Sequence, residues 1–420
     1  MMENHSYDNY LGILERGDGL PRDGSGKATA TNIASDGEAV RAYHCAETAQ
    51  CFGIPSQTWE ASHVQWNGGA NDGFVRNAED LARVLNYDPS ARRTPMGYWT
   101  ERELPFYYAL AEQFPVADRW FASCLGPTIP NRRFLAAGTA HGLAADHVAR
   151  TFDAPPRGTI FDTLSRYDIA WANYHAASPL RVALSRFLAV PGLRGRAPRT
   201  PASRGRIGSF AHELESKLQF TIDAYPVSVV RHLNHLRGIR QFFRDAAAGA
   251  LPAVSIVDPS FVDFSEENPQ DIQRGERFAA TVIKAIMESP AWASTLLVWL
   301  YDEHGGYYDH IAPPPAVEPD DVTPDVDDAT ARYDRYGFRV PAVIVSPYAR
   351  PGFVLHDVHD HTSILRVIEE KWNLAPLTAR DAAANDLLHA LDLTAQPAFV
   401  RPPALPAPAL GFAEPPRYDF

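Results

Sequence analysis

The sequence has few cysteines, no long hydrophobic run and no excess of positive charge, and each absence narrows the class of protein. Three cysteines among 420 residues are too few for a disulfide framework, although Cys45 and Cys51 are close enough to form one bridge in an oxidising compartment. No apolar run reaches about 18 residues, so we expect no transmembrane helix. The formal net charge of −12 argues against a nucleic-acid partner, because such a partner requires a basic surface.

The remaining composition is that of a globular protein, with 45% hydrophobic and 21% charged residues. Short apolar runs alternate with amphipathic segments such as Glu276–Met287, which predicts an α/β fold with a mainly parallel sheet covered by helices. We interpret residues 1–395 as one catalytic domain with a cap or insertion at about 155–215. Residues 396–420 read as a proline-rich tail.

Two acids stand where a buried strand is predicted to end. Asp302 and Glu303 follow the apolar run Thr295-Leu-Leu-Val-Trp-Leu300. Gly305 and Gly306 then allow a sharp turn, because glycine enters the positive-φ region freely. Buried carboxylates are unfavourable unless an opposite charge compensates them, and a metal ion would do so. A solvated loop with a tight turn accounts for the same residues, so this segment alone leaves both interpretations open.

A hydroxyl and further oxygen ligands occur elsewhere in the chain. Thr128 lies between Pro127 and Pro130, which we expect to stiffen the backbone and to prevent a regular helix across this position. Glu3 and Asn4 place a carboxylate and an amide at the beginning of the chain. With the two strand-end acids they form an oxygen-rich set of the kind that Ca²⁺, Mg²⁺ or Mn²⁺ prefers.

This combination indicates a metal-assisted phosphoester hydrolase. A threonine hydroxyl beside a divalent cation ionises more readily and can act as a nucleophile. The same cation can hold a phosphoryl oxygen and offset charge in the transition state. His63 or His310 could protonate the leaving alkoxide, because imidazole titrates near neutral pH.

Four segments carry a resemblance to a known family. They are Met2-Glu-Asn-His-Ser-Tyr-Asp-Asn-Tyr-Leu-Gly12, Gly126-Pro-Thr-Ile-Pro-Asn-Arg132, Tyr301-Asp-Glu-His-Gly-Gly-Tyr-Tyr-Asp-His310 and Arg339-Val-Pro-Ala-Val-Ile-Val-Ser-Pro347. The chain resembles the bacterial phosphoesterase family that contains the non-zinc phospholipases C and a group of acid phosphatases. The motifs run in the family's order, and His63 with Trp66-Asn-Gly-Gly69 and Asp360-His-Thr-Ser363 add to the match.

The resemblance implies an alkaline-phosphatase-like α/β sandwich, with helices on both faces of the sheet, and hydrolysis through a covalent phosphoenzyme. By position, Thr128 matches the nucleophile, and His63 and His310 match family histidines near the site. The residues implied to bind one divalent metal ion are Glu3, Asn4, Thr128, Asp302 and Glu303. For the phosphoester or phospholipid substrate we expect contacts from Asn131, Asn268 and Asp258.

The reaction and the beginning of the chain stay open at this point. A phospholipase C-type phosphodiesterase, an acid phosphatase acting on phosphomonoesters and a non-catalytic protein that binds a phosphorylated ligand or a lipid surface all fit the motifs. Family members often carry histidine at the positions of Gln57 and Asn268, so the general acid is undecided. They also enter the Glu-Asn pair from an apolar strand behind an export signal, whereas this sequence begins at Met1. We therefore expect a truncated start, and a location that is cytoplasmic as written or extracytoplasmic otherwise.

Overall fold

The first residues of the chain lie between the two larger sheets of the protein. The computed structural model describes residues 1–50, 53, 55–146, 155–176, 232–261 and 263–413. Met2 pairs in parallel with Tyr301, which follows the edge strand of one sheet. The Met1 amino group donates to the carbonyl of Val257 (3.1 Å), which belongs to the edge strand of the other. The beginning of the chain is therefore held by the backbone of both sheets.

The elements of the described residues are numbered in chain order. The α-helices are Tyr7–Leu11 (α1), Trp59–Trp66 (α2), Phe74–Leu85 (α3), Pro105–Gln113 (α4), Thr128–Ala137 (α5), Ile160–Arg166 (α6), Ile239–Ala247 (α7), Ile272–Met287 (α8), Thr362–Trp372 (α9) and Ala379–Ala383 (α10). The strands are Thr31–Ile33 (β1), Ala39–Arg41 (β2), Tyr43–His44 (β3), Gly97–Tyr98 (β4), Val116–Ala117 (β5), Trp171–His175 (β6), Leu236–Gly238 (β7), Val254–Asp258 (β8), Leu297–Leu300 (β9), Ala342–Val345 (β10) and Val354–Leu355 (β11). Short 3₁₀ turns occur at Asn67–Gly69, Pro89–Met96, Leu233–His235, Trp292–Ser294 and Leu388–Ala390. Within the described ranges, no helix is both long and apolar enough to cross a bilayer.

The two larger sheets are parallel apart from one strand. The three-stranded sheet has the order β7-β6-β8, and both of its pairings are parallel. The four-stranded sheet has the order β11-β5-β10-β9; β10 is antiparallel to both neighbours, and β11 is parallel to β5. The pairs β1-β2 and β3-β4 form small separate sheets. The predicted α/β class with a mainly parallel sheet is confirmed.

Helices cover both faces of the sheet. Trp171 and Ala172 are consecutive on β6, so their side chains point to opposite faces. Trp171 belongs to a hydrophobic cluster with residues of α5, α6 and α9. Ala172 belongs to a different cluster, which contains residues of α7 and α8. This is the two-sided arrangement that the sequence predicts.

Helix α8 forms where the apolar pattern of Glu276–Met287 predicts a helix, but it begins before Glu276, at Ile272. Ala279, Ile283 and Ile286 recur at helical spacing and are buried. The side chain of Asp271 accepts a hydrogen bond from the Gln273 amide (3.0 Å) and caps the helix before the predicted first residue. The helix lies beside the strand that carries the paired acids.

Three expectations fall wholly or partly outside the described residues. Of the insertion expected at 155–215, the structure describes 155–176, which contains α6 and β6, the inner strand of the three-stranded sheet. The rest of that segment lies outside the described residues. Cys51 also lies outside the described residues, and so does its possible bridge to Cys45. The same is true of the tail beyond residue 413.

Candidate active site

Thr128 is the first residue of helix α5, and the two neighbouring prolines do not interrupt that helix. Pro127 occupies the position before the helix, and Pro130 lies within its first turn. The prediction that these prolines prevent a helix is wrong, because the N–H groups of a first turn have no intrahelical acceptor and a proline there removes nothing. The Thr128 side chain is buried at the positive end of the helix dipole.

Asn131 fixes the loop that leads to Thr128. Its Oδ1 accepts from the Cys124 amide (3.0 Å), and its Nδ2 donates to the carbonyls of Gly126 (2.8 Å) and Pro127 (3.0 Å). The side chain is wholly buried, so the amide is engaged by the backbone of its own loop. The expected contact between Asn131 and the substrate stays a prediction, whereas its hydrogen bonds to the loop hold the backbone before Thr128 in place.

The parallel bridge at the beginning of the chain brings Glu3 and Asn4 beside the acids that follow β9. The Asn4 amide donates to Asp302 Oδ1 (3.3 Å). The Thr128 hydroxyl donates to Asn4 Oδ1 (3.3 Å). The structure therefore brings together all five residues predicted to bind metal, with Glu303 following Asp302 in the chain.

Gly305 allows the two segments to approach each other. Its N–H donates to Glu303 Oε2 (2.7 Å), and its φ of 64° lies in the left-handed region. A Cβ at this position would lie 2.0 Å from the Asn4 carbonyl oxygen. The sequence uses glycine here because a side chain would separate the Asp302–Glu303 turn from Asn4.

Arg132 lies one turn after Thr128 on the same face of α5, and sequence reasoning gave it no role. Its Nε donates to Asp302 Oδ2 (2.9 Å) and its Nη1 to Asp258 Oδ1 (3.1 Å), while Nη2 lies 3.8 Å from Glu3 Oε1. Burial alone would lower the pKa of Arg132, but the charges of these acids outweigh that effect and raise it. The guanidinium therefore stays charged and orients three carboxylates from three segments.

Two further acids, Asp146 and Glu267, lie close to these residues, and neither is among the site residues predicted from the sequence. Asp146 Oδ1 accepts from the Ile129 amide in the first turn of α5 (2.8 Å). Glu267 has its pKa raised to about 8 by burial and by the negative charges of Asp146 and Asp302. The pattern that marks Asp302 does not mark Glu267, because Asp302 lies two residues after the end of β9 and Glu267 lies nine residues after the end of β8. Asp146 follows no strand, and its spacing carries no such signal.

We call this group the Arg132 cluster. Its members are Glu3, Asn4, Thr128, Arg132, Asp146, Asp258, Glu267, Asp302 and Glu303. Burial raises the pKa of Glu3, and the charges of Glu267 and Asp302 raise it further. Burial and Asp302 likewise raise the pKa of Glu303. The cluster contains six carboxyl groups and one guanidinium, so ionising all six would leave excess negative charge, and the raised pKa values reflect that cost.

The oxygens of this cluster fit a divalent cation. Glu3 Oε2 and Glu303 Oε1 are buried, and neither has a hydrogen-bond partner within the described part of the chain. Buried polar atoms without a partner are rare and call for an explanation. Carboxylate, amide and hydroxyl oxygens are the donors that Ca²⁺, Mg²⁺ and Mn²⁺ take. A bound cation would offset the charge of the ionised carboxylates and give these oxygens a ligand to bind.

A second buried group surrounds Arg339 and includes the predicted catalytic residue His310. Ligand atoms of Asp8, Asp309 and His310 lie within 4.8 Å of one another, which is a spacing that could hold a metal ion. Arg339 donates to Asp309 Oδ1 (2.8 Å) and to Asp8 Oδ1 (3.0 Å), so a guanidinium already balances these carboxylates. We call these four residues the Arg339 cluster.

The two predicted catalytic histidines are not recorded in contact with Thr128. His310 Nδ1 lies 2.7 Å from Asp8 Oδ2, and its Nε2 lies 3.4 Å from an oxygen of Asp18. His63 Nδ1 donates to the Trp59 carbonyl (2.7 Å), and burial lowers the pKa of His63. The Trp59 ring packs against His63, with ring centroids 4.6 Å apart, and it would lie 3.4 Å from a Cβ on Gly126, in the loop before Thr128.

The other predicted substrate residues are engaged by protein groups. Asp258 Oδ2 accepts from the Asn173 side chain (2.9 Å) in addition to its ion pair with Arg132. Asn268 Oδ1 accepts from the Tyr307 hydroxyl (3.0 Å). Asp258 is wholly buried, whereas Asn268 is half-buried next to Glu267. Their contacts with a substrate stay predictions.

Comparison with known proteins defines the class to which this fold and site belong. Residues 1–375 match the Phosphoesterase family. The chain belongs to this family, which confirms the family and the enzyme class, a phosphoric ester hydrolase, that the motifs predict. It is 27% identical over 404 residues to "Non-specific phospholipase C6" from Arabidopsis thaliana, covering 91% of this chain and 69% of that protein. It is 28% identical over 433 residues to "Phospholipase C B" from Mycobacterium tuberculosis (strain ATCC 25618 / H37Rv), covering 94% and 77%.

Solved structures show weaker similarity. A protein in the alkaline phosphatase superfamily from Vibrio parahaemolyticus has a TM-score of 0.35 at 10% identity and covers 67% of this chain and 64% of its own. The phosphonate monoester hydrolase of Agrobacterium radiobacter has a TM-score of 0.33 at 13% identity, covering 69% and 72%.

Proposed function

We propose that this chain is a metal-dependent, phospholipase C-type phosphodiesterase that works through a phosphothreonine at Thr128. The observation that carries the proposal is the hydrogen bond from the Thr128 hydroxyl to Asn4, inside a group of buried carboxylates with two unpartnered oxygens. The relatives named as phospholipases C support the diester substrate. The residues that would hold the divalent cation are Glu3, Asn4, Thr128, Asp302 and Glu303.

In the first step the Thr128 oxygen attacks phosphorus, and the bond from phosphorus to the leaving oxygen breaks. The positive end of the α5 dipole favours a negatively charged oxygen at this position. A divalent cation, when bound, lowers the pKa of the hydroxyl and offsets charge on the phosphoryl oxygens. The departing alkoxide takes a proton. The sequence predicts His63 or His310 as the donor, and we favour His63, because both ring nitrogens of His310 lie against the carboxylates of Asp8 and Asp18.

In the second step water attacks the phosphothreonine, the bond between phosphorus and the Thr128 oxygen breaks, and the hydroxyl is restored. Asn4 accepts from the free hydroxyl and holds its orientation before the first step and after the second. Arg132 keeps Asp302 turned towards Asn4, because it binds the carboxylate oxygen that Asn4 leaves unused. These contacts fix the attacking oxygen relative to the carboxylates.

The proposal is tested with a chromogenic phosphocholine diester and a chromogenic phosphomonoester, each assayed with added Mn²⁺. Thr128→Ala should lower turnover at least about 10³-fold. The matched control is Thr281→Ala, a buried helical threonine whose hydroxyl donates to the Arg277 carbonyl, and it should leave turnover unchanged. After acid quench, the wild type should carry one phosphoryl group that the Thr128 variant lacks.

Each other outcome has a defined meaning. Full turnover in Thr128→Ala would reject the nucleophile. Faster turnover of the monoester than of the diester would favour the acid phosphatase alternative. Thermal stabilisation by phosphocholine without any turnover, Mn²⁺ being present, would favour the non-catalytic alternative.

A further inference from the structure

Glu266 is a wholly buried carboxylate held by three tyrosines, and the proposed mechanism does not use it. It lies between β8 and α8, one residue before Glu267. Tyrosine hydroxyls from three different segments donate to it. They are Tyr10 (2.8 Å, to Oε2), Tyr107 (2.7 Å, to Oε1) and Tyr301 (to Oε2). Both oxygens of the carboxylate are thus occupied by groups from distant parts of the chain.

The backbone of Glu266 is fixed as firmly as its side chain. Its φ of 81° lies in the left-handed region, which is uncommon and strained for a residue with a side chain. The carbonyl accepts from His5 Nε2 (3.0 Å) and from the Gln50 side chain, and the amide donates to Gln270 Oε1 (3.3 Å). Hydrogen bonds to the carbonyl and from the amide therefore hold Glu266 in this strained conformation.

Helix α8 provides the space for this side chain. A Cβ at Gly275 would lie 2.0 Å from Glu266 Cγ, so glycine at this helical position leaves room for the carboxylate. Glycine inside a helix is unfavourable by about 1 kcal/mol relative to alanine. Gly275, a poor helix former, therefore lies directly against Glu266, a residue with a strained backbone. Backbone strain of this kind clusters at functional sites.

Glu266 is connected to the Arg132 cluster at two points. Glu267 is the next residue, and its position follows directly from the strained backbone of Glu266. Tyr301, which donates to Glu266, precedes Asp302. The Glu266 backbone therefore sets the position of Glu267. The Glu266 carboxylate holds Tyr301, the residue before Asp302.

We propose that Glu266 is a positioning residue that fixes the cation ligand Asp302, and Glu267 next to it in the Arg132 cluster, in the arrangement that binds a divalent cation. This inference rests on the metal site of the proposed function and adds the group that sets its geometry. Groups that orient metal ligands without touching the metal usually matter about 10–100-fold in affinity. Glu266 acts through its hydrogen bonds and through the backbone on either side.

The first test measures Mn²⁺ binding to the full chain by titration calorimetry, with Mn²⁺ as the sole ligand. Glu266→Gln keeps the shape of the side chain but has one acceptor oxygen for three hydroxyls, so Kd should rise about 10–100-fold. The matched control is Glu276→Gln. Glu276 is equally buried in the same core, and its carboxylate accepts from the amides of Phe106 (2.8 Å) and Tyr107 (3.2 Å). The control should leave the Kd for Mn²⁺ unchanged.

A second pair of variants keeps the carboxylate and removes one donor at a time. Tyr301→Phe and Tyr107→Phe each delete one hydroxyl bound to Glu266, but Tyr301 adjoins Asp302 and Tyr107 lies on α4. Tyr301→Phe should weaken Mn²⁺ binding more than Tyr107→Phe does. These milder changes also give a result if Glu266→Gln does not fold.

Turnover separates positioning from general destabilisation. Saturating Mn²⁺ should restore most of the turnover of Glu266→Gln, since the lost step is metal binding. Wild-type affinity in Glu266→Gln, or equal weakening in Glu276→Gln, would overturn the positioning role while leaving the proposed function intact. A wild type that turns over substrate without binding Mn²⁺ would overturn the metal site and, with it, the role of Glu266.

Discussion

Two clusters in this protein are built on a wholly buried arginine, and they differ in how their carboxylates are satisfied. In the Arg339 cluster every carboxylate oxygen of Asp8 and Asp309 accepts a hydrogen bond, from Arg339, from His310 or from backbone amides. In the Arg132 cluster more acids gather around the guanidinium, and oxygens of Glu3 and Glu303 stay without a partner among the described residues.

The difference separates a structural ion-pair network from a site prepared for a ligand. A buried charge is tolerated when it is paired and hydrogen-bonded, and that condition is met around Arg339. Around Arg132 it is met for Asp302 and Asp258 but incompletely for Glu3 and Glu303. The spacing of ligand atoms alone would select Asp8, Asp309 and His310 as the metal group. Unpaired oxygens and excess charge select the Arg132 cluster instead.

The largest expected effect comes from removing each arginine. Arg339→Met leaves Asp8 and Asp309 buried without their cation and should lower the free energy of unfolding by about 3–5 kcal/mol. Arg132→Met should cost a similar amount in metal-free protein. Denaturant unfolding with and without Mn²⁺ distinguishes the two, because a bound cation can replace part of the charge of Arg132. Equal recovery of both variants in Mn²⁺ would contradict the comparison.

A smaller effect is expected in the pH dependence of stability. The folded-state pKa of Glu303 is raised above its usual value of 4.5 by burial and by Asp302. A raised carboxyl pKa contributes stability that is fully present below pH 4.5 and is lost as the pH rises through the folded-state pKa. Each such group adds a slope of about 1.4 kcal/mol per pH unit over that window.

Glu303→Gln should remove one such slope from the metal-free protein. Stability is measured by denaturant unfolding from about pH 5 to about pH 8, the range just above the usual carboxyl pKa. The control is the wild type saturated with Mn²⁺, in which the cation compensates the carboxylate and the slope should also shrink. An unchanged slope in Glu303→Gln would show that Glu303 ionises normally and is already compensated.

The sequence predicts the fold class correctly, because that class depends on local patterns. The five predicted oxygen ligands stay a prediction. Apolar runs mark the strands, and the acids that follow β9 are adjacent in the chain. The expectation that Pro127 and Pro130 prevent a helix is wrong, because proline does not break a helix at every position. Its effect depends on the turn in which it lies, and the first turn has no hydrogen bond to lose.

The remaining residues of the site could not be found from spacing. Asp146 reaches the cluster through the first turn of α5, and Glu266 acts through tyrosines that are far apart in the sequence. Such contacts are set by tertiary packing and leave no periodic signal. The same holds for His310, whose motif position next to Asp309 indicates catalysis, whereas its recorded partners are Asp8 and Asp18.

The smallest expected effect therefore concerns His310. Burial alone would lower the pKa of His310, but the hydrogen bond and charge of Asp8 outweigh it and raise the pKa. The protonated ring contributes stability that is present below its usual pKa of 6.5 and is lost as the pH rises through the folded-state pKa. His310→Asn should cost about 1 kcal/mol of unfolding free energy at acidic pH and change turnover by no more than about twofold.

His63→Asn is the matched variant. The bond from His63 Nδ1 to the Trp59 carbonyl places the proton on Nδ1 and leaves Nε2 as the atom that could exchange a proton with a substrate. Loss of a general acid lowers the rate about 10²–10⁴-fold. A loss of that size in His310→Asn, with His63→Asn unaffected, would make the Arg339 cluster part of the catalytic machinery and end the distinction between the two clusters. A loss of that size in His63→Asn, with His310→Asn unaffected, would identify His63 as the residue that transfers the proton.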